Sequence, residues 1–493
     1  MDADVVVVGA GPVGLLLAIE LALAGARPIL VERLHAPSEQ PKARGIGVLA
    51  AEALRRRGLG AELDREHEHG LRALARDHGT TKTHFAWIHK VDQDAADPNR
   101  RGALIGQPAL ERLLRKRLAD LGVQIRYGCA VTGMQEDPDA VTVTVESSTG
   151  NRRLTAEYVV GCDGGHSAVR ELAGFHFPGT PPLMTIRYAH AEVRHRDLLP
   201  PPGRLPGGTL FHDDSMIATF DFADTSLDRS APLTAEEVRD SVRRVAGAEV
   251  QFAAFHGGLR FTDQARQVDT YRRGRTLLAG DAAHVHSPNG GQGLNLGLMD
   301  AMNLGWKLAA TVRGDAPDTL LDTYHAERHP VGVSVLHNTR AQSALLAPGP
   351  HVDTLRDIMS DLMDLPEVNR YLSRLLSGVG HHYPVPYPAG HPAVGAHCPP
   401  LIIDGTIPLE QLSVEGRPLL LHPQATQIET DGRVDTVPIE TLSDERLAAV
   451  LLRPDGVIAW AAAPGDDLQP AALRQAVQTW FSHEQRSPST GLT

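Results

Sequence analysis

The sequence predicts an α/β protein that has a Rossmann-type nucleotide-binding domain, an inserted α+β domain and a small third domain at the C-terminal end. Residues 4–33 have the pattern of a strand, a tight glycine turn, a helix and a second strand. After an unrelated stretch, a strand ending in Gly280-Asp281 precedes a glycine-rich loop and a long helix, which repeats the nucleotide-binding pattern. The stretch between them is therefore predicted to be an insertion.

The individual elements follow from apolar spacing and from turn residues. In chain order we predict strands over 5–8 and 27–31 around a helix over 14–24, a helix over 107–120, β-like alternation over 140–160, and helices over about 294–312, 317–345, 351–378 and 469–482. Within 450–460, two apolar runs flank Asp455-Gly456, which is a strong hairpin signal. The Pro-, Gly- and His-rich stretch 381–400 predicts a linker whose histidines at 381, 382 and 391 face solvent.

The first motif is the glycine turn over 9–14 (GAGPVG), with Glu32 at the end of the second strand. Gly9 permits the turn, Gly11 lets the backbone approach a pyrophosphate, and Gly14 allows close packing of the helix on the strand. The free N–H groups of the helix N-terminus favour the negative phosphates, and Glu32 can accept hydrogen bonds from an adenosine ribose. The motif predicts dinucleotide binding, and by itself it does not separate FAD from NAD.

Two further motifs follow strands of the same predicted domain. Asp163, in 162–170 (CDGGHSAVR), faces the crevice where α/β sheets bind ligands, or it caps the next helix. Asp281 can bind a sugar-alcohol hydroxyl. The glycine loop after it, 288–295 (PNGGQGLN), exposes N–H groups that can stabilise the negative charge of a reduced flavin.

In order and spacing, these three motifs resemble those of the flavin-dependent aromatic hydroxylases, the single-component monooxygenases related to para-hydroxybenzoate hydroxylase. The resemblance covers about residues 3–345. More narrowly, the segments 280–284 (GDAAH), 323–330 (TYHAERHP) and 452–456 (LRPDG) resemble the branch that acts on polyketide-type polycyclic aromatics and on rifamycin antibiotics. That branch has a C-terminal thioredoxin-like domain. Here this domain lacks a CxxC motif, so we expect it to serve stability or dimer packing rather than redox chemistry.

The resemblance and the element pattern together predict four parts of the chain. The FAD-binding domain is discontinuous, over 1–174 and 271–345, and the inserted domain over 175–270 binds the substrate. A helical connector and linker over 346–394 leads to the thioredoxin-like domain over 395–493.

The resemblance also implies the site residues. The predicted FAD-binding residues are Gly9, Gly11, Val13, Gly14, Glu32, Arg33, Arg44, Gln107, Val131, Asp163, Asp281, Pro288, Gly291, Gly293, Leu294 and Asn295. Among them, Asp163 is expected between the flavin and the path of the nicotinamide, Asp281 on the ribityl chain, and the backbone of Val131 on the adenine.

Arg44 and Pro288 are the candidate catalytic residues. Arg44 lies in a loop flanked by Gly45 and Gly47, and two roles are open for it. It either gates the movement of the flavin between an exposed and a buried position, or it pairs with the FAD pyrophosphate.

The implied reaction is the NAD(P)H-dependent hydroxylation, through a C4a-hydroperoxyflavin, of a polycyclic phenolic natural product such as a polyketide or an antibiotic. NADPH is favoured as the reductant, and O2 is the co-substrate. Because the sequence contains no second GxGxxG motif, we expect the nicotinamide nucleotide to bind transiently. Baeyer–Villiger-type oxygen insertion into a related polycyclic ketone and flavin binding without catalysis remain open as alternatives.

The composition argues against several other classes. A net charge of −12 and an aromatic content of 4% disfavour a nucleic-acid partner. We see no signal peptide and no apolar stretch that could span a bilayer, so we expect a cytoplasmic protein without a membrane partner, as a monomer or homodimer. The three cysteines are far apart, and His284 and His286 lack a third ligand, so no metal site is expected.

Overall fold

The computed structural model describes residues 1–40, 42–76, 83–92, 95–225, 231–424, 432–466, 468 and 470–481. Its helices are α1 (Pro12–Leu23), α2 (Val48–Leu54), α3 (Gly60–Arg76), α4 (Gln107–Asp120), α5 (Ala168–Leu172), α6 (Ala235–Ala246), α7 (Gly293–Val312), α8 (Asp322–Leu346), α9 (Pro350–Leu362), α10 (Pro366–Ser377), α11 (Leu409–Leu412) and α12 (Pro470–Phe481). The predicted helices over 107–120 and 294–312 are confirmed.

The strands are β1 (Ala3–Val8), β2 (Pro28–Val31), β3 (Thr83–Phe85), β4 (Ile88–Val91), β5 (Ile125–Arg126), β6 (Ala130–Glu136), β7 (Val141–Ser147), β8 (Gly150–Gly161), β9 (Gly179–Thr180), β10 (Thr185–Arg194), β11 (Gly203–Leu205), β12 (Gly208–His212), β13 (Met216–Asp221), β14 (Gln251–Thr262), β15 (Ala265–Gln267), β16 (Arg272–Arg273), β17 (Thr276–Leu278), β18 (His284–Val285), β19 (Ile402–Ile403), β20 (Ile407–Pro408), β21 (Leu419–Pro423), β22 (Asp435–Ile439), β23 (Ala449–Leu452) and β24 (Ile458–Ala462). The predicted hairpin within 450–460 is formed by β23 and β24.

The central sheet brings the glycine motifs together. Its strands follow the order β16–β17–β8–β1–β2–β5, and all but β16 are parallel along this path. Val8 lies opposite both Val31 and Gly161, and Gly161 lies opposite Leu278, so four neighbouring strands end at the same level. The segments that follow these strands therefore meet at the carboxyl end of the sheet, where open α/β sheets bind their ligands.

A second sheet, which we call the middle sheet, is antiparallel and has the order β11–β12–β13–β10–β14. Helix α6 covers one of its faces, where Arg187 is fully buried and bonds with Asp221 and Glu237. Because side chains alternate along a strand, Tyr188 lies on the opposite face. That face meets the nucleotide-binding domain, since the guanidinium of Arg44 contacts the Tyr188 hydroxyl.

The C-terminal sheet has the order β22–β21–β23–β24, in which β21 is parallel to β22 and antiparallel to β23. This mixed order is that of a thioredoxin-like sheet, and α12 follows it in the chain. Its buried core continues into the nucleotide-binding domain through Trp306 of α7, which packs against Trp480 and Phe481. Part of the connection between β21 and β22 lies outside the described residues.

Two segments differ from the sequence prediction. The single helix predicted over 351–378 is two helices, α9 and α10, because Pro366 cannot continue a helix and places Leu365 in an extended conformation (ψ 126°). The stretch 381–400, predicted to be a linker, instead packs on the folded domains: Tyr387 is buried in the C-terminal core, and Tyr383 is buried against α7, α8 and Val457. We call this segment the strap. His381 is half-buried rather than solvent-facing, and burial lowers its pKa to about 4.

Within the described residues, no helix is both long enough and apolar enough to cross a membrane.

Candidate functional site

The turn between β1 and α1 is crowded on one side and open on the other. A Cβ atom at Gly9 would lie 2.5 Å from the Cys162 carbonyl oxygen, and one at Gly14 would lie 1.9 Å from the Gly9 carbonyl oxygen. A Cβ at Gly11 would meet nothing within 4 Å. The crowded positions hold the strand and helix close together, while Gly11 faces open space in front of the helix N-terminus, where a pyrophosphate can approach the backbone.

Glu32 is held beside this turn by two backbone groups. Its carboxylate accepts hydrogen bonds from the Ala10 N–H (2.8 Å) and the Leu34 N–H (2.9 Å). The Cys129 N–H donates to the Glu32 carbonyl oxygen, which brings the start of β6, and with it Val131, next to Glu32. The structure thus places the residues predicted for the ribose and the adenine side by side, whereas Arg33 is exposed.

The turn after β17 carries Asp281, whose side chain is exposed at the carboxyl end of the sheet. The turn packs on Val13 of α1, since a Cβ at Gly280 would lie 3.0 Å from a Val13 methyl group. The Gly280 N–H donates to Asp300 Oδ2 (3.1 Å), a buried carboxylate of α7. The sequence analysis did not single out Asp300. The sequence signal that could have identified Asp300 is a stripe of polar residues at positions 300, 303 and 307 of a largely apolar helix.

The glycine loop leads directly into α7. Pro288 and Gly291 are exposed, and a Cβ at Gly291 would meet nothing within 4 Å. Asn295 joins this loop to the Arg44 loop, because its Nδ2 donates to the Gly291 carbonyl (2.9 Å) and its Oδ1 accepts from the Gly47 N–H (2.6 Å). Two of the predicted flavin-contacting segments are thereby fixed relative to each other.

The other two predicted residues of this loop lie in the first turn of α7. Leu294 packs partly buried against the main core. Gly293 stands over His286, since a Cβ there would lie 3.3 Å from Nε2 of that ring.

Asp163 is engaged with protein groups on both oxygens. Its carboxylate accepts from the Ser167 hydroxyl (2.5 Å) and from the Val169 N–H (3.2 Å), both at the start of α5. Burial raises its pKa, against the lowering effect of these hydrogen bonds. The N-cap of α5 is Ser167, whose hydroxyl accepts from the Arg170 N–H, so Asp163 supports this cap rather than occupying the N-cap position. A contact with the flavin or the nicotinamide stays a prediction.

Arg44 and Gln107 are brought near each other, because the Gln107 N–H donates to the Ala43 carbonyl oxygen. The Gln107 amide donates to Glu111, one turn further along α4. The Arg44 guanidinium reaches across to the middle sheet, where its Nη2 lies 3.5 Å from the Tyr188 hydroxyl and 2.9 Å from the Met216 sulfur. In this structure Arg44 therefore points toward the middle sheet, and its two candidate roles stay open.

The β3–β4 hairpin supplies residues that the sequence analysis missed. At its tip, Ala86 and Trp87 have φ values of 49° and 64°. This left-handed conformation is unfavourable for residues other than glycine. The side chain of Gln342 accepts from the Ala86 N–H, and Arg356 donates to the Ala86 carbonyl oxygen. This anchoring holds the Trp87 ring near the middle sheet.

The Trp87 ring contacts the middle sheet through Phe211 and Phe220, with centroids 6.1 and 6.2 Å away. It also stacks on His84, with centroids 5.6 Å apart. Burial lowers the pKa of His84 to about 4, and nearby His89 acts in the same direction, so the His84 ring is neutral at pH 7.

These residues fit a bound FAD. The open space in front of Gly11 and Gly291 is what a pyrophosphate and a flat ring need for close approach to the backbone. Glu32 follows β2 and the exposed Asp281 follows β17, with β1 and β8 between them, and both residues offer carboxylates to hydroxyl groups at the carboxyl end of the central sheet.

Comparisons with known proteins agree with this geometry. Residues 2–339 match the family described as FAD binding domain, and residues 391–483 match the aromatic-ring hydroxylase C-terminal domain. A 12-dehydrotetracycline 5-monooxygenase/anhydrotetracycline 6-monooxygenase of Streptomyces rimosus is 42% identical over 98% of this chain and 99% of the relative. A rifampicin monooxygenase of Streptomyces venezuelae is 37% identical over 97% and 98%.

A solved structure, that of the anhydrotetracycline hydroxylase OxyS from Streptomyces rimosus, superposes with a TM-score of 0.87 at 40% identity, over 98% of this chain and 99% of that one. The predicted fold class, the FAD cofactor and the monooxygenase class are thereby confirmed. The chain belongs to the FAD-dependent aromatic-ring hydroxylases, in the branch of the polyketide hydroxylases and rifampicin monooxygenases.

Proposed function

We propose that this enzyme hydroxylates a polycyclic phenolic natural product, with NADPH favoured over NADH as the reductant and O2 as the co-substrate. The observation that carries the substrate class is the face of the middle sheet between Arg44 and Trp87, which is apolar and aromatic and extends across several strands. The relatives named above act on tetracycline-type substrates and on rifampicin, which supports a large substrate here. We place the enzyme in the cytoplasm, as a monomer or homodimer.

The register of the middle sheet defines this substrate face. Phe211 of β12 lies opposite Ala218 of β13, which lies opposite Tyr188 of β10, so these three side chains form one row across the sheet. Arg44 touches the Tyr188 end of the row and Trp87 touches the Phe211 end. Because neighbouring strands lie about 4.8 Å apart, the backbones that carry Phe211 and Tyr188 are roughly 10 Å apart, and this row of aromatic rings suits contact with a planar ring system.

The chain's own residues orient and shield the reactants in this proposal. FAD, when bound, supplies the oxygen-transfer chemistry. Glu32 and Asp281 hold its hydroxyl groups, and the loop of Pro288 and Gly291 supports its ring system with backbone N–H groups. The stacked rings of His84 and Trp87 cover the Phe211 end of this row with aromatic surface.

Turnover with a panel of phenolic polycycles tests the proposal. The holoenzyme is supplied with NADPH and ¹⁸O2, and the products are analysed by mass spectrometry. We expect one labelled oxygen on an aromatic ring of a multi-ring substrate, with slower turnover of single-ring phenols. An oxygen inserted next to a ketone identifies the Baeyer–Villiger alternative, and binding of the substrate panel without NADPH oxidation contradicts the proposal.

The placement of Arg44 gives a separate prediction. If Arg44 couples flavin reduction to substrate arrival, Arg44→Ala with FAD still bound is expected to oxidise NADPH and release H2O2 with little hydroxylated product. The measurement is the ratio of product formed to NADPH consumed, together with peroxide. A variant that keeps wild-type coupling, or that only loses FAD, assigns Arg44 to pyrophosphate binding instead.

Arg152 provides the matched control for this variant, because it is an exposed arginine near the start of β8, at the end of the strand opposite the glycine motifs. Arg152→Ala is expected to keep the wild-type coupling ratio. Equal uncoupling in both variants contradicts a specific role of Arg44.

A further inference from the structure

We propose that the C-terminal domain holds the turn Gly280-Asp281 in place through Tyr383, Arg328 and Asp300, which act as positioning residues for FAD. The inference rests on the proposed contact of Asp281 with the FAD ribityl chain. It assigns a role to a domain that lacks a redox-active CxxC motif.

The flavin side of this connection ends on the Asp300 carboxylate. Asp300 is fully buried, and its Oδ2 accepts from the Gly280 N–H (3.1 Å) and lies 2.7 Å from His284 Nε2. Its Oδ1 accepts from Arg328 Nε (2.8 Å). An ionised carboxylate offers only acceptors, which suits a position surrounded by three donors. Its position therefore fixes the backbone immediately before Asp281.

The C-terminal side of the connection runs through Arg328. Its Nη1 donates to the Tyr383 hydroxyl (2.7 Å) in the strap, and its Nη2 donates to the Leu296 carbonyl (2.9 Å). The strap is itself tied to the C-terminal hairpin, because the Tyr383 N–H donates to the Gly395 carbonyl and the Gly395 N–H donates to the Ile458 carbonyl. Arg328 is thus oriented by the C-terminal domain on one side and by Asp300 on the other.

A second buried connection runs beside the first. Arg453, in the turn of the C-terminal hairpin, donates to both oxygens of Glu327 (2.6 and 2.8 Å), the residue before Arg328 on α8. Asp455 in the same turn accepts from Asn303 (3.1 Å), one turn after Asp300 on α7. Both helices that carry the flavin-side residues are therefore fastened to one turn of the C-terminal domain.

Burial makes these connections rigid. Asp300, Glu327 and Arg453 are at most 2% exposed, and Arg328 is 3% exposed. A buried charged group that shifts away from its partner leaves an unpaired charge, which is strongly unfavourable. A displacement of the strap or the hairpin is therefore transmitted to Asp300 and to the turn it holds.

Two tyrosines of the strap provide a matched test. Tyr383→Phe removes the hydroxyl that accepts from Arg328. Tyr387→Phe removes a hydroxyl whose partners among the described residues, Ala459 and Trp480, both lie in the C-terminal core. Both rings are buried, at 5% and 9% exposure. We measure the FAD Kd of the full-length apoprotein by fluorescence titration, and the Tm of each apoprotein.

We expect Tyr383→Phe to raise the FAD Kd about three- to tenfold, the effect of one lost hydrogen bond. Tyr387→Phe is expected to lower the Tm and to leave the FAD Kd unchanged. A wild-type Kd for Tyr383→Phe, or an equal rise in both variants, overturns the proposal.

Asp300→Asn extends the test to the flavin side. The amide has a single acceptor oxygen and presents donors to donor groups, so we expect a larger rise in the FAD Kd and an altered absorption spectrum of the bound flavin. If this variant does not fold, the tyrosine pair decides the question. Neither the FAD Kd nor the flavin spectrum involves substrate. The test of this inference is therefore independent of the test of the proposed hydroxylation, and either can fail without the other.

Discussion

Gly14→Ala is expected to give a colourless protein that does not bind FAD. The new Cβ would lie 1.9 Å from the Gly9 carbonyl oxygen and 3.3 Å from the Cys162 side chain. Gly9 and Cys162 directly follow β1 and β8, and the Cys162 N–H donates to the Val8 carbonyl oxygen (2.8 Å). The helix must therefore move away from the sheet, which opens the turn that receives the pyrophosphate. We expect the free energy of unfolding to fall by about 1–3 kcal/mol or more.

Gly11→Ala separates FAD binding from stability at the same turn. Gly11 has φ −72° and ψ 178°, which alanine adopts without strain, and a Cβ there would meet nothing within 4 Å. We expect the apoprotein to unfold at the wild-type urea concentration, while FAD affinity falls because the methyl group occupies the space in front of the helix N-terminus. Normal FAD content in Gly11→Ala removes this turn from the cofactor site.

Arg453→Met is expected to lower the free energy of unfolding by about 3–5 kcal/mol, because it removes the ion-pair partner of buried Asp455 and leaves buried Glu327 with Lys307 alone. Arg453 is 2% exposed and lies between the C-terminal hairpin and α8. The measurement is urea unfolding at pH 7. The matched control is Arg417→Met in the same domain, whose ion pair with Asp435 is half-exposed, and which is expected to cost about 0–1 kcal/mol. Equal losses contradict the special role of the buried pair.

The pH dependence of stability gives this prediction a second readout. Burial opposes ionisation of Glu327, but Arg453 and Lys307 outweigh it and hold the Glu327 pKa well below its usual range. A carboxyl group whose pKa is lower in the folded than in the unfolded protein stabilises the fold at pH values above its unfolded pKa. This stabilisation is lost as the pH falls through the folded pKa. Wild-type enzyme is therefore expected to lose stability below about pH 4.5. Arg453→Met is expected to lose less over the same range.

Much of the nucleotide-binding fold was predictable because its signals are local. The apolar run of β1, the glycines at 9, 11 and 14, and Glu32 at the end of β2 lie within thirty residues of one another. The steric requirement for each glycine arises within a single turn, so the spacing of the glycines predicts the geometry of that turn. The family relationship followed from three such local motifs in the right order.

The substrate face was not predictable in this way. Trp87, Tyr188 and Phe211 belong to no motif, and they meet only because the β3–β4 hairpin and the middle sheet are folded against each other. The direction of Arg44 likewise depends on a contact 172 residues away with Met216. The sequence predicted that Arg44 and Gln107 are near the flavin, which stays a prediction.

The sequence by itself determined the glycine turn, the parallel strands around it, the long helices and the hairpin at Asp455-Gly456, because short-range sterics and apolar periodicity specify them. Only the tertiary structure decided that the strap is buried, that Asp300 receives the Gly280 N–H, and that Arg453 pairs with Glu327, 126 residues earlier in the chain. Such pairs form because a buried charge needs a partner of opposite charge. The sequence contains several acidic residues that could pair with a given arginine, and it does not say which one does. Packing of the C-terminal domain on α7 and α8 selects the ones that meet.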